Sequence, residues 1–133
     1  MKNSNTKYYF PAIIWAILIF IVSSIPDLST PSLGFTYADK VAHWGEYLIF
    51  GFLMALAFWK TGRSRPYLLP LLICSAFGAF DELHQLFIPG RVADIFDWLA
   101  DFAGTASGAA IYILIKYRSS GRPTRQTIVD KVK

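Results

Sequence analysis

Four long apolar runs, at about Tyr8 to Ile25, Val41 to Trp59, Tyr67 to Ile88 and Ile95 to Tyr117, occupy most of this 133-residue chain and constrain its fold more than any other feature. Each is near the ~17 to 25 residues that cross the hydrocarbon core of a bilayer. Lipid offers no partners to backbone N–H and C=O groups, so each run is expected to be a helix. With 54% hydrophobic and 17% aromatic residues, the chain is also too apolar for an ordinary small soluble domain. The expected fold is all-α: a four-helix transmembrane bundle over residues 1–118, followed by a basic, disordered tail at 119–133.

Charge then orients the bundle. Of 13 Lys and Arg residues, 11 flank what would be one side: Lys2, Lys7, Lys60, Arg63, Arg65, Lys116 and the basic residues that follow it. Only Lys40 and Arg91 lie on the other, together with both histidines and 8 of the 9 carboxylates. The positive-inside rule places both termini and the loop between helices two and three in the cytoplasm. The formal charge of +4 is then flanking charge that meets anionic lipid, which argues against nucleic acid as a partner. Lys2 and Lys7 before an apolar run resemble the start of a signal peptide. The run is long and no Ala-x-Ala site follows it, so a retained first helix is expected. The single Cys74 leaves no disulfide framework and reads as a small packing residue.

Turn chemistry divides the runs. Pro26 closes helix one, residues 27–36 form an external loop, and Asp39 is an N-cap or first-turn acid for helix two. The turns at Lys60 to Pro66 and Ile88 to Arg91 are short enough to make helices two and three, and three and four, antiparallel neighbours. Tyr37, Phe35, Trp44 and Trp98 suit an external aromatic belt, and Tyr8, Trp59, Tyr67 and Tyr117 a cytoplasmic one. Gly104 and Gly108, four apart on helix four, offer a face that another backbone can approach, favouring contact within the bundle over a dimer.

The informative residues are ionisable ones inside the runs, each costing ~2.5 to 3.5 kcal/mol to insert near a helix centre. Glu46, Asp81, Glu82 and Asp101 all fall ~7 to 10 Å below the external boundary at 1.5 Å rise per residue. They belong to three stripes: Asp39, His43 and Glu46 on helix two, Asp81, His84 and Gln85 on helix three, and Asp94, Asp97 and Asp101 on helix four. Charge facing lipid is the costly alternative, so the stripes are expected to converge on a hydrated cavity open to the outside. Three readings stay open. A divalent metal is a candidate cofactor, with His43, Glu46, Asp81, His84 and Asp101 as ligands, although no established metal signature is present. Acid–base catalysis is the second, with His43, Glu46, Asp81, Glu82, His84, Asp97 and Asp101 as its candidates. A polar network that merely locks the helices together is the third. Lys40 can snorkel to the interface or bind an anion, Arg91 can pair in its loop or hold a phosphate, and Gln85 is a network member or a substrate contact.

Two blocks resemble the VanZ-like family of small bacterial membrane proteins. One is Asp39-Lys40-Val41-Ala42-His43 with Glu46-Tyr47 and Gly51; the other runs Asp81-Glu82-Leu83-His84-Gln85-Leu86-Phe87-Ile88-Pro89-Gly90-Arg91, then Asp94, Asp97, Asp101, Gly104 and Gly108. The resemblance covers about half the chain, and helix one matches only as an apolar span. It implies a setting in the bacterial cell membrane and a link to resistance against the glycopeptide teicoplanin, with no established reaction. The family pattern falls on Asp39, Lys40, His43, Tyr47, Asp81, Glu82, Gln85, Arg91, Asp97 and the position of Asp101, which is often Asn in the family. Tyr47 thereby joins Lys40, Gln85 and Arg91 as a candidate substrate contact.

The leading expectation is a cell-envelope membrane protein that binds or acts on a lipid-linked substrate from the outer face, as a hydrolase or transferase if it is an enzyme. A non-catalytic protein that modulates surface binding of lipoglycopeptides, or a partner protein, is the alternative. A proton or cation transporter ranks last, because the inner halves of the runs are almost wholly apolar.

Overall fold

A computed structural model describes residues 5–27 and 37–120. Most of the expected external loop, with Phe35, lies outside the described residues, as do Lys2 and the tail from residue 121. Among the described residues every regular element is helical: a 3₁₀ turn at Asn5–Tyr9, then α1 (Phe10–Ser23), α2 (Ala38–Lys60), α3 (Leu68–Gln85) and α4 (Ile95–Ser120). Three helices are long and apolar enough to cross a membrane: α1 with its preceding turn, α2, and α4 as far as Ser119. α3 is not among them, since its last turns hold Asp81, Glu82, His84 and Gln85.

The helix ends follow local chemistry. Pro11 sits in the first turn of α1, where a missing N–H costs nothing. Ser23 and Ser24 close that helix by turning their hydroxyls back on the Phe20 carbonyl, at 3.0 and 2.6 Å. Tyr37 precedes α2 without capping it, so Asp39 is a first-turn acid and not the cap. α2 stops in a Schellman motif: Gly62 takes φ +65, its N–H reaches the Trp59 carbonyl, and the Arg63 N–H reaches that of Phe58. Asp94 caps α4, its Oδ1 accepting the Phe96 N–H at 2.9 Å. α4 continues through Ser120, past the boundary at residue 118 expected from composition.

The tightest packing joins α2 to α4, which are not sequence neighbours, and α3 packs against both of them, as the short loops lead one to expect. A Cβ added to Gly104 would run into the Trp44 carbonyl, and one added to Gly108 into that of Leu48. Gly51 faces the Thr105 backbone in the same way. Residue numbers rise together on the two helices, so they run parallel, and the Gly104–Gly108 face is used inside the bundle as expected. Ala55 and Ala109 fill this seam without exposure, and Phe52 meets Tyr112 edge to face at 5.2 Å. α1 and α3 cover the other side of α2 with a core of Ala12, Ile19, Phe50, Met54, Phe58 and Cys74. The exterior is apolar: Ile13, Ile14, Ile17 and Ile21 of α1, Leu72 and Phe80 of α3, and Leu114 of α4 are all exposed, as lipid-facing side chains would be.

Candidate functional site

The parallel seam determines which polar groups meet. Because α2 and α4 run parallel, His43 lies beside Asp101 next to the contact of Gly104 with Trp44. The His43 Nδ1 is 3.0 Å from Asp101 Oδ1, and the carboxylate is 1% exposed. One turn outward, Lys40 Nζ lies 3.0 Å from Asp39 Oδ2, 2.6 Å from Asp94 Oδ2 and 2.7 Å from Asp97 Oδ1. The last contact is a close ion pair that is not aligned as a hydrogen bond. Side-chain exposure falls from 41% at Asp39 to 12% at Asp97 and 1% at Asp101, so the cluster is open at its mouth and closed at its floor. At the mouth, the Lys40 ammonium, helped by the Phe96 N–H, holds the Asp94 carboxyl below the usual carboxylate range.

α3 contributes Glu82. Its Oε2 accepts the backbone N–H of Asp94 at 2.9 Å, tying α3 to the cap of α4, while its Oε1 is buried without a hydrogen-bond partner. Donor atoms of His43, Glu82 and Asp97 lie within 4.8 Å of one another. Glu82 and Asp94 also line a cavity of about 420 Å³ between α3 and α4, together with Ala79, Leu83, Ala93, Ile95 and Trp98. Trp98 is anchored there by its Nε1–H, which donates to the Ser75 carbonyl at 3.0 Å and ties α4 to α3.

The remaining expected site residues turn elsewhere. Asp81, His84 and Gln85 do share a face of α3, but that face meets α1. Asp81 accepts from the Ser23 hydroxyl at 2.6 Å and from Gln85 Nε2 at 3.3 Å. His84 Nε2 is 3.0 Å from the Ser24 hydroxyl, and its ring stacks on Phe20 at 4.4 Å. Arg91 reaches the same helix end, donating from Nε to the Ser23 carbonyl and from Nη2 to that of Val22. The guanidinium thus meets the carbonyl end of α1, where the helix dipole favours a cation. Glu46 is half-buried, and its backbone carbonyl accepts from Trp15 Nε1 on α1. Tyr47 is buried in the core, with its hydroxyl unpartnered.

The expected single convergence is therefore two adjoining networks. One joins Lys40, His43, Glu82, Asp94, Asp97 and Asp101 of α2, α3 and α4. The other joins Ser23, Ser24, Asp81, His84, Gln85 and Arg91 of α1 and α3. Asp81 and Glu82 are adjacent in sequence, about 100° apart around the helix, and go to different networks. Of the metal candidates read from sequence, His43 is in the three-donor group, Asp101 supports it, and Asp81 and His84 are on the α1 side. Ser23 and Ser24 escaped the sequence reading; their only signal was a pair of hydroxyls at the end of an apolar run.

Comparison with known proteins supports a family assignment. No solved structure matches the chain. An uncharacterised protein of the fission yeast Schizosaccharomyces pombe is 30% identical over 105 residues, which are 77% of this chain and 62% of the yeast protein. This chain thus matches less than two thirds of that relative's length. The profile of the VanZ/LLP1 family matches residues 6–116, taking in all four helices and both polar networks. The chain belongs to the VanZ/LLP1 family.

Proposed function

We propose that this chain is a four-span protein of the bacterial cytoplasmic membrane, with both termini inside, whose outer-facing network binds or acts on the polar head of a lipid-linked envelope substrate. α3 is the fourth span: its apolar part crosses most of the bilayer, and its polar end enters the site. The observation that carries this reading is the cavity between α3 and α4, lined mostly by apolar side chains together with the carboxylate residues Glu82 and Asp94. Such a shape suits an amphiphile whose chain lies among Leu83, Ile95 and Trp98 and whose head meets the network.

His43 is the acid–base group of this proposal. With Asp101 accepting from Nδ1, the other ring nitrogen is the one left to move a proton, and the buried carboxylate sets the ring's orientation. Lys40 holds the surrounding carboxylates in place and offers a donor to the substrate head. Reduced susceptibility to teicoplanin would then follow from a change in envelope lipid.

The test compares lipid extracts by mass spectrometry from cells carrying the wild-type gene, a deletion, and His43→Ala or Asp101→Asn variants that insert normally. One lipid-linked species should accumulate in the deletion and in both variants. Identical lipid profiles in all four strains would refute the reading. If teicoplanin susceptibility still changed while lipids did not, the alternative of a binding protein acting by occupancy would replace it.

A further inference from the structure

We infer that His43, Glu82 and Asp97 form a binding site for one divalent transition-metal ion, of the Zn²⁺ or Mn²⁺ type. The inference concerns the network above but does not depend on a lipid substrate.

The first support is the donor set and its supports. One imidazole and two carboxylates, drawn from three different helices, place donor atoms within 4.8 Å of one another. Donors on a tetrahedral ion at ~2.0 to 2.1 Å are about 3.4 Å apart, so closure requires only small rotamer adjustments. The His43–Asp101 hydrogen bond of 3.0 Å is the arrangement in which a carboxylate orients a metal-binding histidine and leaves its other nitrogen lone pair free. Mixed imidazole and carboxylate donors suit transition ions better than Mg²⁺ or Ca²⁺, which take oxygen ligands almost throughout.

The second support is independent of that spacing. Glu82 is only 7% exposed, and its Oε1 has no hydrogen-bond partner although Oε2 is bonded to Asp94. A buried carboxylate oxygen left in this state calls for a cation or a donor not supplied by the chain. Charge points the same way: Asp39, Asp94 and Asp97 contact the Lys40 ammonium, and the carboxylates of Glu82 and Asp101 join the same network through the Asp94 N–H and His43. Lys40 already bonds Asp39 and Asp94, so it can give up its unaligned contact with Asp97 to an incoming ion. Three protein ligands leave coordination positions open, as sites that bind or activate a further ligand do. With an ion bound, the second nitrogen of His43 is a ligand and no longer moves a proton, and in the lipid reading the open positions would instead supply the positive charge that an anionic head needs among so many carboxylates.

The test uses the full chain purified in detergent micelles, stripped with a chelator and titrated calorimetrically with Zn²⁺, Mn²⁺, Mg²⁺ and Ca²⁺ in turn. Zn²⁺ or Mn²⁺ should saturate a single site per chain. Glu82→Gln, which keeps an acceptor for the Asp94 N–H, and His43→Phe should each weaken binding at least about tenfold, and Asp101→Asn by about 10- to 100-fold. Helical circular dichroism of the stripped variants confirms that each is folded. No saturable binding by the folded wild-type chain, binding that Glu82→Gln and His43→Phe both leave unchanged, or a preference for Mg²⁺ or Ca²⁺ would overturn the assignment. Altered lipids with no metal binding would remove this inference and keep the lipid reading; metal binding with unaltered lipids would do the reverse.

Discussion

Adding one methyl group at Gly108 should separate the helices that form the site, whereas adding one at Gly45 should not. A Cβ on Gly108 would overlap the Leu48 carbonyl oxygen and stand 2.8 Å from both the Leu48 carbonyl carbon and the Phe52 nitrogen. The second pair of contacts alone is about 0.6 Å short of the 3.4 Å where ordinary contact begins. These are backbone atoms, so no rotamer change relieves them, and α2 and α4 must spread. A radial gap of ~0.5 to 1 Å forfeits a quarter to a half of each dispersion contact along the seam. The cost of overpacking a well-fitted core is about 1 to 3 kcal/mol. Gly45 lies on α2, the other helix of the seam, with nothing within 4 Å of its added Cβ, so Gly45→Ala should stabilise by up to ~1 kcal/mol through helix propensity. Both substitutions carry the same propensity gain, so the two variants should differ by the overpacking cost, about 1 to 3 kcal/mol. Reversible unfolding in mixed micelles measures the difference. Equal stabilities would refute the close parallel seam, and with it the account of how His43 reaches Asp101.

Three further outcomes follow from other parts of the bundle. In a double-mutant cycle of Ser23→Ala with Asp81→Asn, the 2.6 Å hydrogen bond should give a coupling of about 0.6 kcal/mol, at most ~1.7, in unfolding experiments; zero coupling would remove the tether between α1 and α3. Cys74 is fully buried, so maleimide labelling in micelles should be blocked until the chain unfolds, and rapid labelling of the native protein would contradict its place in the core. Asp94 is held below its ordinary value near 3.8, so its contribution to stability is complete above that pH and is lost as pH falls below it. Thermal midpoints measured at low salt from about pH 5 to 3 should fall less steeply for Asp94→Asn than for the wild type.

The helices were legible because periodicity and turn residues are local signals. α3 is shorter than its apolar run: Leu86, Phe87 and Ile88 are hydrophobic enough to continue, but the chain must turn at Pro89-Gly90. It does so through short-range bonds from the Phe87 and Ile88 N–H groups to the His84 and Gln85 carbonyls. Which helices touch was less legible. Loop length says only that sequence neighbours can pair, whereas the close approach of Gly104 and Gly108 makes α2 and α4 the tightest pair. Gly51 was the matching signal on the partner helix, yet a glycine does not declare which backbone it admits.

That helix order also decides what the site could be read to contain. Asp81 and Glu82 are chemically near-equivalent neighbours, and only the positions of α1 and α4 around α3 determine which meets a serine and which meets His43. A sequence stripe defines one helical face, so grouping Asp81 with His84 and Gln85 was correct as geometry. Expecting that face to meet His43 required a neighbour order that the stripe does not encode. The residue one step off the stripe, Glu82, is the one with an unpartnered buried oxygen beside His43 and Asp97. In a small membrane bundle, therefore, the donor set of a site follows from close-packing glycines before it follows from the spacing of the donors themselves.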